Sequence, residues 1–394
     1  MQDRPEPGSP PPPPQAAETL DCAAFWRHHD AAVVAAPRHT GAPIFYPVYR
    51  VDGLYSFSMF RLLRQRGHVT INPALAARLA EPDPGVVTPE MTIDAEIARL
   101  GGPPALSRRQ GDPAAFAAAL ARAMQADTAA AETANPGTTN LVLCGGRDSL
   151  NLLLLDWRNP VVALSAAPNL ALVREFVARN DLDIRVEELR DIEEPGLAAR
   201  EIAEACCQVD LTNWKWTAHL RRIAAEHDHR AVFWKGQFAD AFLTDYWRSY
   251  TGRRSRAWQF AKKGYRKAAR AVPEALQPLL APADALMLRD FRDAIWRRGA
   301  VLQGAHMGVL RSITGCLVLS AYHGPETAEV WCAADLPRVA RGDLRPAIGR
   351  CLAGRAVWYP ETNPAPPASA FRRGWRDLDR FREAMAEFGI EVRG

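Results

Sequence analysis

One short stretch constrains this chain more than any other: an apolar strand that ends in two glycines and then opens a helix. Residues 140–149 read Asn-Leu-Val-Leu-Cys-Gly-Gly-Arg-Asp-Ser, and an apolar run follows them. The pattern predicts a buried strand at 141–143, a tight turn at Gly145 and Gly146, and a helix that begins near Ser149. A plain strand–turn–helix junction without a ligand is the alternative to a binding loop.

The chemistry of this turn indicates a phosphate site. Two glycines let a ligand approach the backbone closely, and the turn presents several free N–H groups. Asp148 would repel phosphate unless a Mg²⁺ ion bridged them, so the glycines, the Ser149 hydroxyl and this carboxylate together indicate Mg-nucleotide chemistry. No Gly-Lys-Ser/Thr follows, so the loop is not of the Walker type.

Composition limits the class of protein. The 394 residues allow two or three domains, and 48% hydrophobic with 24% charged residues is normal for a soluble globular protein. The net charge of +4 does not by itself imply a nucleic-acid partner. Seven scattered cysteines without a CxxC pair favour reduced thiols over a zinc site or disulfides. We find no signal peptide or membrane span, and expect a cytoplasmic protein without a membrane partner.

The chain divides into three predicted parts. Residues 1–18, with five consecutive prolines, predict a disordered tail that is inert or docks on a partner. Residues 19–112 predict a small α+β domain without a catalytic grouping, and residues 113–394 the main domain. Within the small domain the predicted strands cover 44–51 and 55–60, around Asp52-Gly53, and the predicted helices cover 59–66 and 74–79.

The main domain begins with an alternation of helices and strands. An alanine-rich helix from 113 to 131, with Asp112 as its N-cap, comes first. The predicted strands cover 141–143, 161–165, 184–188 and 231–235, and the predicted helices 169–179, 196–207 and 213–227. This order favours an α/β fold with a parallel sheet flanked by helices, whose ligands sit at the carboxyl ends of the strands. We therefore expect the glycine turn and the segment after Trp234 to face one cleft.

The C-terminal half is helical by pattern, with predicted helices at 283–298, 303–320 and 374–388. Residues 248–270 hold nine Lys or Arg, interleaved with aromatic residues such as Trp258 and Tyr265. Such a segment binds nucleic acid or an acidic peptide, or is the solvated face of an amphipathic helix.

The order of motifs resembles the synthetase domain of asparagine synthetases, a family of ATP pyrophosphatases that includes β-lactam synthetases and lasso-peptide cyclases. Residues 144–149 match its Ser-Gly-Gly-x-Asp-Ser pyrophosphate loop, with Cys144 in place of the first serine. Residues 161–179 match the strand and helix of its adenine pocket. Residues 235–246 match its Ser-Gly-x-Gly-x-Asp-Glu-Leu-Phe-x-Gly-Tyr motif, and 323–326 its late His-Gly-x-Glu. The resemblance covers roughly 113–370 and implies an adenine nucleotide α-hydrolase-like fold.

The resemblance implies an ATP-dependent, AMP-forming amide synthetase. A substrate carboxylate would attack the α-phosphorus of ATP to give an acyl-adenylate, and an amine would then displace AMP. Asp148 and Asp240 would share the Mg²⁺ ion. The residues implied in cofactor binding are Cys144, Gly145, Gly146, Arg147, Asp148, Ser149, Ser165 and Gly236. The residues implied in catalysis are Asp148, Asp240, Lys235, Gln237 and Glu326.

Several positions depart from the family pattern. In the second motif Ala241 replaces Glu, Phe238 replaces Gly, and Lys235 replaces Ser, which places a cation beside the phosphates. Gln237 stands where β-lactam synthetases carry a tyrosine that helps to deprotonate the amine, so that role would move to Glu326 or a neighbour. The late lysine of the family has no counterpart except Arg372 or Arg373. Tyr322 and His323 line the substrate cleft or pack against it.

The departures leave three functional hypotheses. Asparagine synthetases begin with a catalytic cysteine that releases ammonia from glutamine, whereas Gln2 follows Met1 here, so we expect no glutaminase. The first hypothesis is therefore lactam, macrolactam or peptide coupling in specialised metabolism, with a leader peptide or partner protein held at 247–270. The second is a catalytically degenerate binding or scaffold protein of the same fold. The third is a tRNA-modifying ATP pyrophosphatase that uses the basic stretch on RNA.

Overall fold

The computed structural model describes residues 20–21, 33, 35, 37–38, 48–72, 93–97, 107–194, 196–206, 216–237, 239–249, 256–295, 304–364 and 378–394. The backbone of Asp240 is among them, but its side chain is not. The predicted helix at 74–79 and the proline-rich tail at 1–18 lie outside the described residues.

The described elements follow one another in a mixed order. The strands are β1 Leu20–Asp21, β2 Pro37–Arg38, β3 Tyr49–Val51, β4 Leu54–Ser56, β5 His68–Thr70, β6 Glu96–Ile97, β7 Thr139–Leu143, β8 Val161–Ser165, β9 Arg185–Glu188, β10 Ala231–Lys235, β11 Leu317–Ser320 and β12 Glu391–Arg393. The helices are α1 Met59–Arg66, α2 Pro113–Ala134, α3 Arg147–Leu150, α4 Asn169–Arg179, α5 Leu197–Ala205, α6 Thr217–Glu226, α7 Ala239–Leu243, α8 Arg256–Ala271, α9 Ala281–Ile295, α10 Gly304–Thr314, α11 Pro325–Cys332, α12 Leu336–Val339, α13 Arg345–Ala353 and α14 Leu378–Ala386. Short 3-10 segments cover Asn151–Leu154, Asp245–Ser249 and Glu274–Leu280.

A five-stranded parallel sheet forms the centre of the molecule, in the order β11-β10-β7-β8-β9. Its two strands β10 and β11 are buried along their whole length, as expected where helices flank a parallel sheet. The register sets Lys235 opposite both Leu143 and Ser320, so the carboxyl ends of the three strands lie on one edge. The predicted α/β class with a helix-flanked parallel sheet is confirmed.

The strand order reverses between β7 and β10. From β7 the chain moves outward to β8 and β9, and it then returns to the other side of β7 to form β10. In sheets of this kind the reversal opens a crevice at the carboxyl ends of the two strands. The glycine turn follows β7 and Gly236 follows β10, so both border this crevice.

The predicted helix at 303–320 is wrong in its last turns. Helix α10 ends at Thr314, and Gly315 follows with a φ of +69°, its N–H bonded to the carbonyl oxygen of Arg311 at 2.8 Å. A glycine in this conformation terminates a helix, and the apolar run after it joins the sheet edge as β11. A short apolar run does not distinguish helix from strand by periodicity, and here it supplies a strand from the half that we predicted to be helical.

The N-terminal region forms a second apolar core with the C-terminal end of the chain. The predicted hairpin is present as β3 and β4, but the predicted strand at 55–60 is wrong beyond Ser56, because the Ser58 hydroxyl accepts the Arg61 N–H and caps helix α1. The C-terminal strand β12, absent from our prediction, pairs in parallel with β5. None of the helices in the described ranges combines the length and apolar character that crossing a bilayer requires.

Candidate functional site

The glycine loop, residues 144–149, lies at the end of the central strand β7. Cys144 continues the sheet by donating its N–H to the carbonyl oxygen of Leu164 at 2.8 Å. Gly146 then adopts a φ of +143°, which only glycine occupies readily, and helix α3 begins at Arg147. The predicted strand, turn and helix are all present, with the helix starting two residues before Ser149.

A second glycine brings the end of β10 onto this loop. A Cβ atom on Gly236 would lie 2.6 Å from the amide nitrogen of Ser149 and 2.6 Å from the carbonyl carbon of Asp148. Real Cβ atoms do not approach backbone so closely, so only glycine fits between the two segments. The segment after Trp234 thus packs directly on the glycine loop, at the strand-order reversal.

Four consecutive carbonyl oxygens of the loop are held by side chains from the surrounding structure. The pairs are Cys144 O with Ser165 Oγ (2.7 Å), Gly145 O with Asn169 Nδ2 (3.0 Å), Gly146 O with Ser149 Oγ (2.8 Å) and Arg147 O with Tyr359 Oη. In a trans peptide each N–H points away from the preceding C=O. Each N–H group of residues 145–148 therefore points away from the partner of the preceding carbonyl oxygen, and none of these four carbonyl oxygens is needed as an acceptor for a ligand.

One of these N–H groups already has an acceptor from outside the loop. The Arg147 N–H donates to Oδ1 of Asn363 at 2.8 Å, and this oxygen lies 3.0 Å from where a Cβ on Gly146 would stand. Asn363 is exposed, so a ligand oxygen has access to the same position. A Cβ on Gly145, by contrast, would meet no atom within 4 Å. The Arg147 N–H of the loop thus donates to an oxygen, and open space lies beside Gly145.

Two arginines and two aspartates line the loop in an alternating chain of ion pairs. Arg345 places Nε and Nη2 each 2.5 Å from Oδ1 of Asp148. Its Nη1 donates to Oδ1 of Asp343 at 3.0 Å, and Oδ2 of Asp343 lies 2.6 Å from Nη2 of Arg147. Arg147 also lies over the ring of Tyr359, 5.4 Å from its centroid. The four charges cancel, and the loop carries no excess negative charge from this group.

Several buried polar atoms around the loop have no hydrogen-bond partner in the part of the chain that the structure describes. They are Arg147 Nε, Asn151 Oδ1, Asn169 Oδ1 and Gln237 Oε1. Buried polar groups without a partner are rare in folded proteins, and water or a ligand commonly satisfies them. Asn169 and Gln237 follow β8 and β10 at the sheet edge that also carries Arg147, so one donor and two acceptors there fit a polar ligand, whereas Asn151 Oδ1 faces Gly349 of helix α13.

Burial shifts the proton equilibria of the side chains below the loop. It raises the pKa of the Cys144 thiol to about 12, so this sulfur stays protonated beside the Ser149 hydroxyl. Burial also raises the pKa of Asp148, and the Arg345 cation opposes that effect. The pKa of Tyr359 lies well above its ordinary value, again through burial first, so its phenol remains a hydrogen-bond donor to the Arg147 carbonyl.

The second motif is only partly described. Lys235 ends β10 and is buried, and burial lowers its pKa well below the usual range, which disfavours the cation that we predicted beside the phosphates. Gln237 is half-buried, and its backbone oxygen lies 3.4 Å from the Ser320 hydroxyl. Asp240 lies in helix α7, but its side chain is outside the described residues, as is Phe238. The pairing of Asp240 with Asp148 stays a prediction.

The late His-Gly-Pro-Glu motif forms the turn between β11 and α11. His323 is buried, and burial lowers its pKa to about 3, so it packs as a neutral ring. Glu326 is exposed, and its N–H donates to Oδ1 of Asp127 at 3.1 Å. Within the described ranges no hydrogen bond or ion pair joins Glu326 to Asp148, and their shared catalytic role stays a prediction.

The predicted cofactors fit this site unequally. The outward N–H groups and the orphaned donor of Arg147 suit the oxygens of a phosphate. Oδ1 of Asp148 is not open to a Mg²⁺ ion in this conformation, because the Arg345 guanidinium already contacts it. Nor do the described residues contain a group of three or more His, Cys, Asp and Glu side chains placed to hold a metal ion. We therefore derive no chemical step through a metal.

Part of the basic aromatic segment, residues 248–270, stabilises the fold through ion pairs. Three of its cations are tied to carboxylates: Arg248 to Asp284 (2.9 Å), Lys262 to Asp290 (2.8 Å) and Arg270 to Asp245. Lys263 and Lys267 are exposed on helix α8, as is Phe260 at 78%. Arg248 and Lys262 are buried with their carboxylates and so stabilise the fold, whereas Arg270 is exposed, and a peptide or RNA partner for the exposed cations stays a prediction.

Sequence reasoning missed most of the residues that surround the loop. Asn169 follows the carboxyl end of β8. Because the carboxyl ends of parallel strands lie on one edge of the sheet, Asn169 could have been predicted to lie near the loop. Asp343, Arg345, Tyr359 and Asn363 carry no local signal. They come from about 200 residues later in the chain and reach the loop only through tertiary packing.

No protein-family model matches this chain, and no curated protein matches it in sequence.

Proposed function

We propose that this protein is an ATP-dependent, AMP-forming amide synthetase built on an ATP-pyrophosphatase-type fold. In this reaction the nucleotide activates a substrate carboxylate as an acyl-adenylate, and an amine on the same or a second molecule displaces AMP. The carboxylate needs this activation because it is a poor acyl donor at neutral pH. The amine comes with the substrate, as in lactam, macrolactam or peptide coupling.

The observation that carries the proposal is the orientation of the glycine loop. Ser149 within the loop and three side chains from outside it hold four successive carbonyl oxygens, which directs each N–H group of residues 145–148 away from these partners. Successive N–H groups of this kind form an anion-binding concavity. The loop lies at the strand-order reversal, where α/β sheets bind nucleotides.

Each residue of the loop then has a limited role. Gly145 leaves room for the triphosphate, since a Cβ there would point into open space. Arg147 donates from its backbone and from Nε, which has no partner among the described residues. Ser149 and Ser165 act indirectly, because their hydroxyls hold loop carbonyls instead of facing a ligand. These groups bind and orient the phosphates. Pyrophosphate leaves when the substrate carboxylate attacks the α-phosphorus, and AMP leaves when the amine attacks the acyl-adenylate.

The test is calorimetric binding of a non-hydrolysable ATP analogue, followed by pyrophosphate release across a panel of amino-carboxylic acids. Gly145→Ala is the site variant: among the described residues its new methyl group meets no atom within 4 Å, so it obstructs a ligand and none of these residues. Gly264→Ala is the matched control, since its Cβ likewise meets none of the described atoms within 4 Å but lies on helix α8, outside the loop. We expect analogue binding to fall at least tenfold in Gly145→Ala and to be unchanged in the control.

The outcomes separate the three hypotheses. Analogue binding with pyrophosphate release supports the synthetase. Analogue binding without release on any acid indicates a degenerate binding protein, an outcome favoured by the contact of Arg345 with Asp148. Salt-sensitive tRNA binding together with release indicates a tRNA-modifying enzyme. Equal analogue binding by Gly145→Ala and wild type would refute the placement of the nucleotide on this loop.

A further inference from the structure

We propose that Arg345 is the resident counter-cation of the glycine loop, and that phosphate groups bind there without a metal ion on Asp148. The inference rests on the proposed function, since it concerns how the same site holds its nucleotide. It departs from our sequence-based prediction, in which Asp148 and Asp240 share a Mg²⁺ ion.

Arg345 is built into the site on every side. Its N–H donates to Oδ1 of Asp343 at 3.1 Å, and its carbonyl oxygen accepts from Nδ2 of Asn151 at 3.2 Å. Its Nη1 donates to the same Asp343 oxygen at 3.0 Å. With 9% of its side chain exposed, Arg345 is not a surface residue that happens to lean on the loop. Asp343 therefore holds both the backbone and the side chain of Arg345, and Asn151 holds its carbonyl oxygen.

The contact with Asp148 supplies the charge that a metal ion would bring. Nε and Nη2 of Arg345 both lie 2.5 Å from Oδ1 of Asp148. A guanidinium stays charged at every pH at which the protein is folded, so the neutralisation of this carboxylate does not depend on any soluble ion. A second cation on the same oxygen would be repelled by the first.

The pair leaves donors for a ligand. A guanidinium has five N–H groups, of which Arg345 uses three on Asp148 and Asp343. Arg147 donates from Nη2 to Asp343, and its Nε has no partner among the described residues. Two arginines with remaining donors therefore flank the outward N–H groups of the loop. Arginine recognises phosphate through paired N–H groups, which is the geometry required here.

The experiment compares pyrophosphate and ATP-analogue binding in EDTA and in Mg²⁺ by calorimetry. The variants are Arg345→Gln, Asp148→Asn and, as the control, Arg350→Gln, which changes an exposed arginine of the same helix α13. We expect wild type to bind in EDTA within about threefold of its affinity in Mg²⁺. Arg345→Gln should lose at least tenfold in EDTA, and Arg350→Gln should bind as wild type does.

Asp148→Asn gives opposite results under the two views. Asparagine keeps an acceptor oxygen for Arg345 but removes the negative charge, so Arg345 is held less strongly and phosphate is repelled less, and we expect affinity in EDTA to be kept or to rise. If Asp148 instead binds a metal, the same substitution abolishes Mg-dependent binding. This variant also decides the matter if Arg345→Gln fails to fold.

The failures are distinguishable. Binding that requires Mg²⁺ in wild type and is lost in Asp148→Asn overturns the inference and leaves the proposed function standing. Absence of analogue binding by folded wild type in both EDTA and Mg²⁺ overturns the inference and the proposed function together.

Discussion

Gly236→Ala is the substitution for which the structure gives the sharpest expectation. The added Cβ would lie 2.6 Å from the amide nitrogen of Ser149, 2.6 Å from the carbonyl carbon of Asp148 and 2.7 Å from its oxygen. Ordinary contact begins near 3.4 Å, so the two segments must separate by about 0.8 Å. All three atoms are backbone, and no flexible side chain can move aside to accommodate the methyl group.

The cost follows from what must move. Lys235, the residue before Gly236, is held in the sheet opposite Leu143 and Ser320, so β10 cannot retreat without breaking ladder hydrogen bonds. The strain of inserting one methyl group into such a contact is about 2–3 kcal/mol of unfolding free energy. If the glycine loop moves instead, its N–H groups shift by most of an ångström, and analogue affinity should fall at least tenfold.

Urea unfolding followed by tryptophan fluorescence measures the first effect, and calorimetry with the ATP analogue the second. Gly342→Ala is the matched control, because its Cβ meets nothing within 4 Å and its φ is not in the left-handed region. We expect the unfolding free energy of the control to lie within about 0.5 kcal/mol of the wild-type value, and its affinity for the ATP analogue to equal that of wild type. A Gly236→Ala protein as stable as the control, with unchanged affinity, would refute the claim that this close approach shapes the site.

Two further predictions concern stability. Lys262 and Asp290 form a buried pair at 2.8 Å, with side-chain exposures of 1% and 5%, so Lys262→Met should lower the unfolding free energy by about 3–5 kcal/mol and the double variant with Asp290→Leu should recover most of it. Equal urea midpoints for the single variant and wild type would contradict this. Burial raises the pKa of Glu204 from an ordinary 4.5 to about 7, against the opposing hydrogen bond from Ser312. The folded state therefore holds this proton more tightly than the unfolded state, and stability from this group, present below about pH 4.5, is lost by about 3 kcal/mol as pH rises through 7. Urea unfolding measured at a series of pH values tests this. Between pH 4.5 and 7 the unfolding free energy of Glu204→Gln should fall less steeply than that of wild type, and equal slopes would contradict the assignment.

The parts of the fold that follow from sequence are those in which local pattern and tertiary environment agree. Strand β8 and strand β10 match their predicted ranges, 161–165 and 231–235, because a short apolar run between turn residues is what a buried parallel strand requires. Strand β11 has an equally apolar run, but neither a proline nor a long loop separates it from the preceding helix α10. Only the left-handed Gly315 marks the boundary, and one glycine in a helical pattern is weak evidence beforehand.

The candidate site divides in the same way. Gly145 and Gly146 were predicted because close approach of a ligand to the backbone requires glycine, a local demand that the sequence displays, and Gly236 was predicted from the resemblance of residues 235–246 to a family motif. Arg345 and Asn363 were not predicted. Nothing in the sequence around them distinguishes them from the chain's other arginines and asparagines. Which of them meets Asp148 or the Arg147 N–H depends on how α13 and the segment after it pack over the loop.

This dependence on packing also explains the residue that departs from the family pattern at the start of the loop. Cys144 is buried, with a thiol that stays protonated, and only its backbone takes part in holding the turn: the N–H donates to β8 and the carbonyl oxygen accepts from Ser165. A side chain turned into the core contributes no donor to a ligand on the outer face of the loop. Its identity is then decided by volume and by contact with Ser149, so sulfur in place of oxygen there bears on packing and leaves the proposed anion-binding face unchanged.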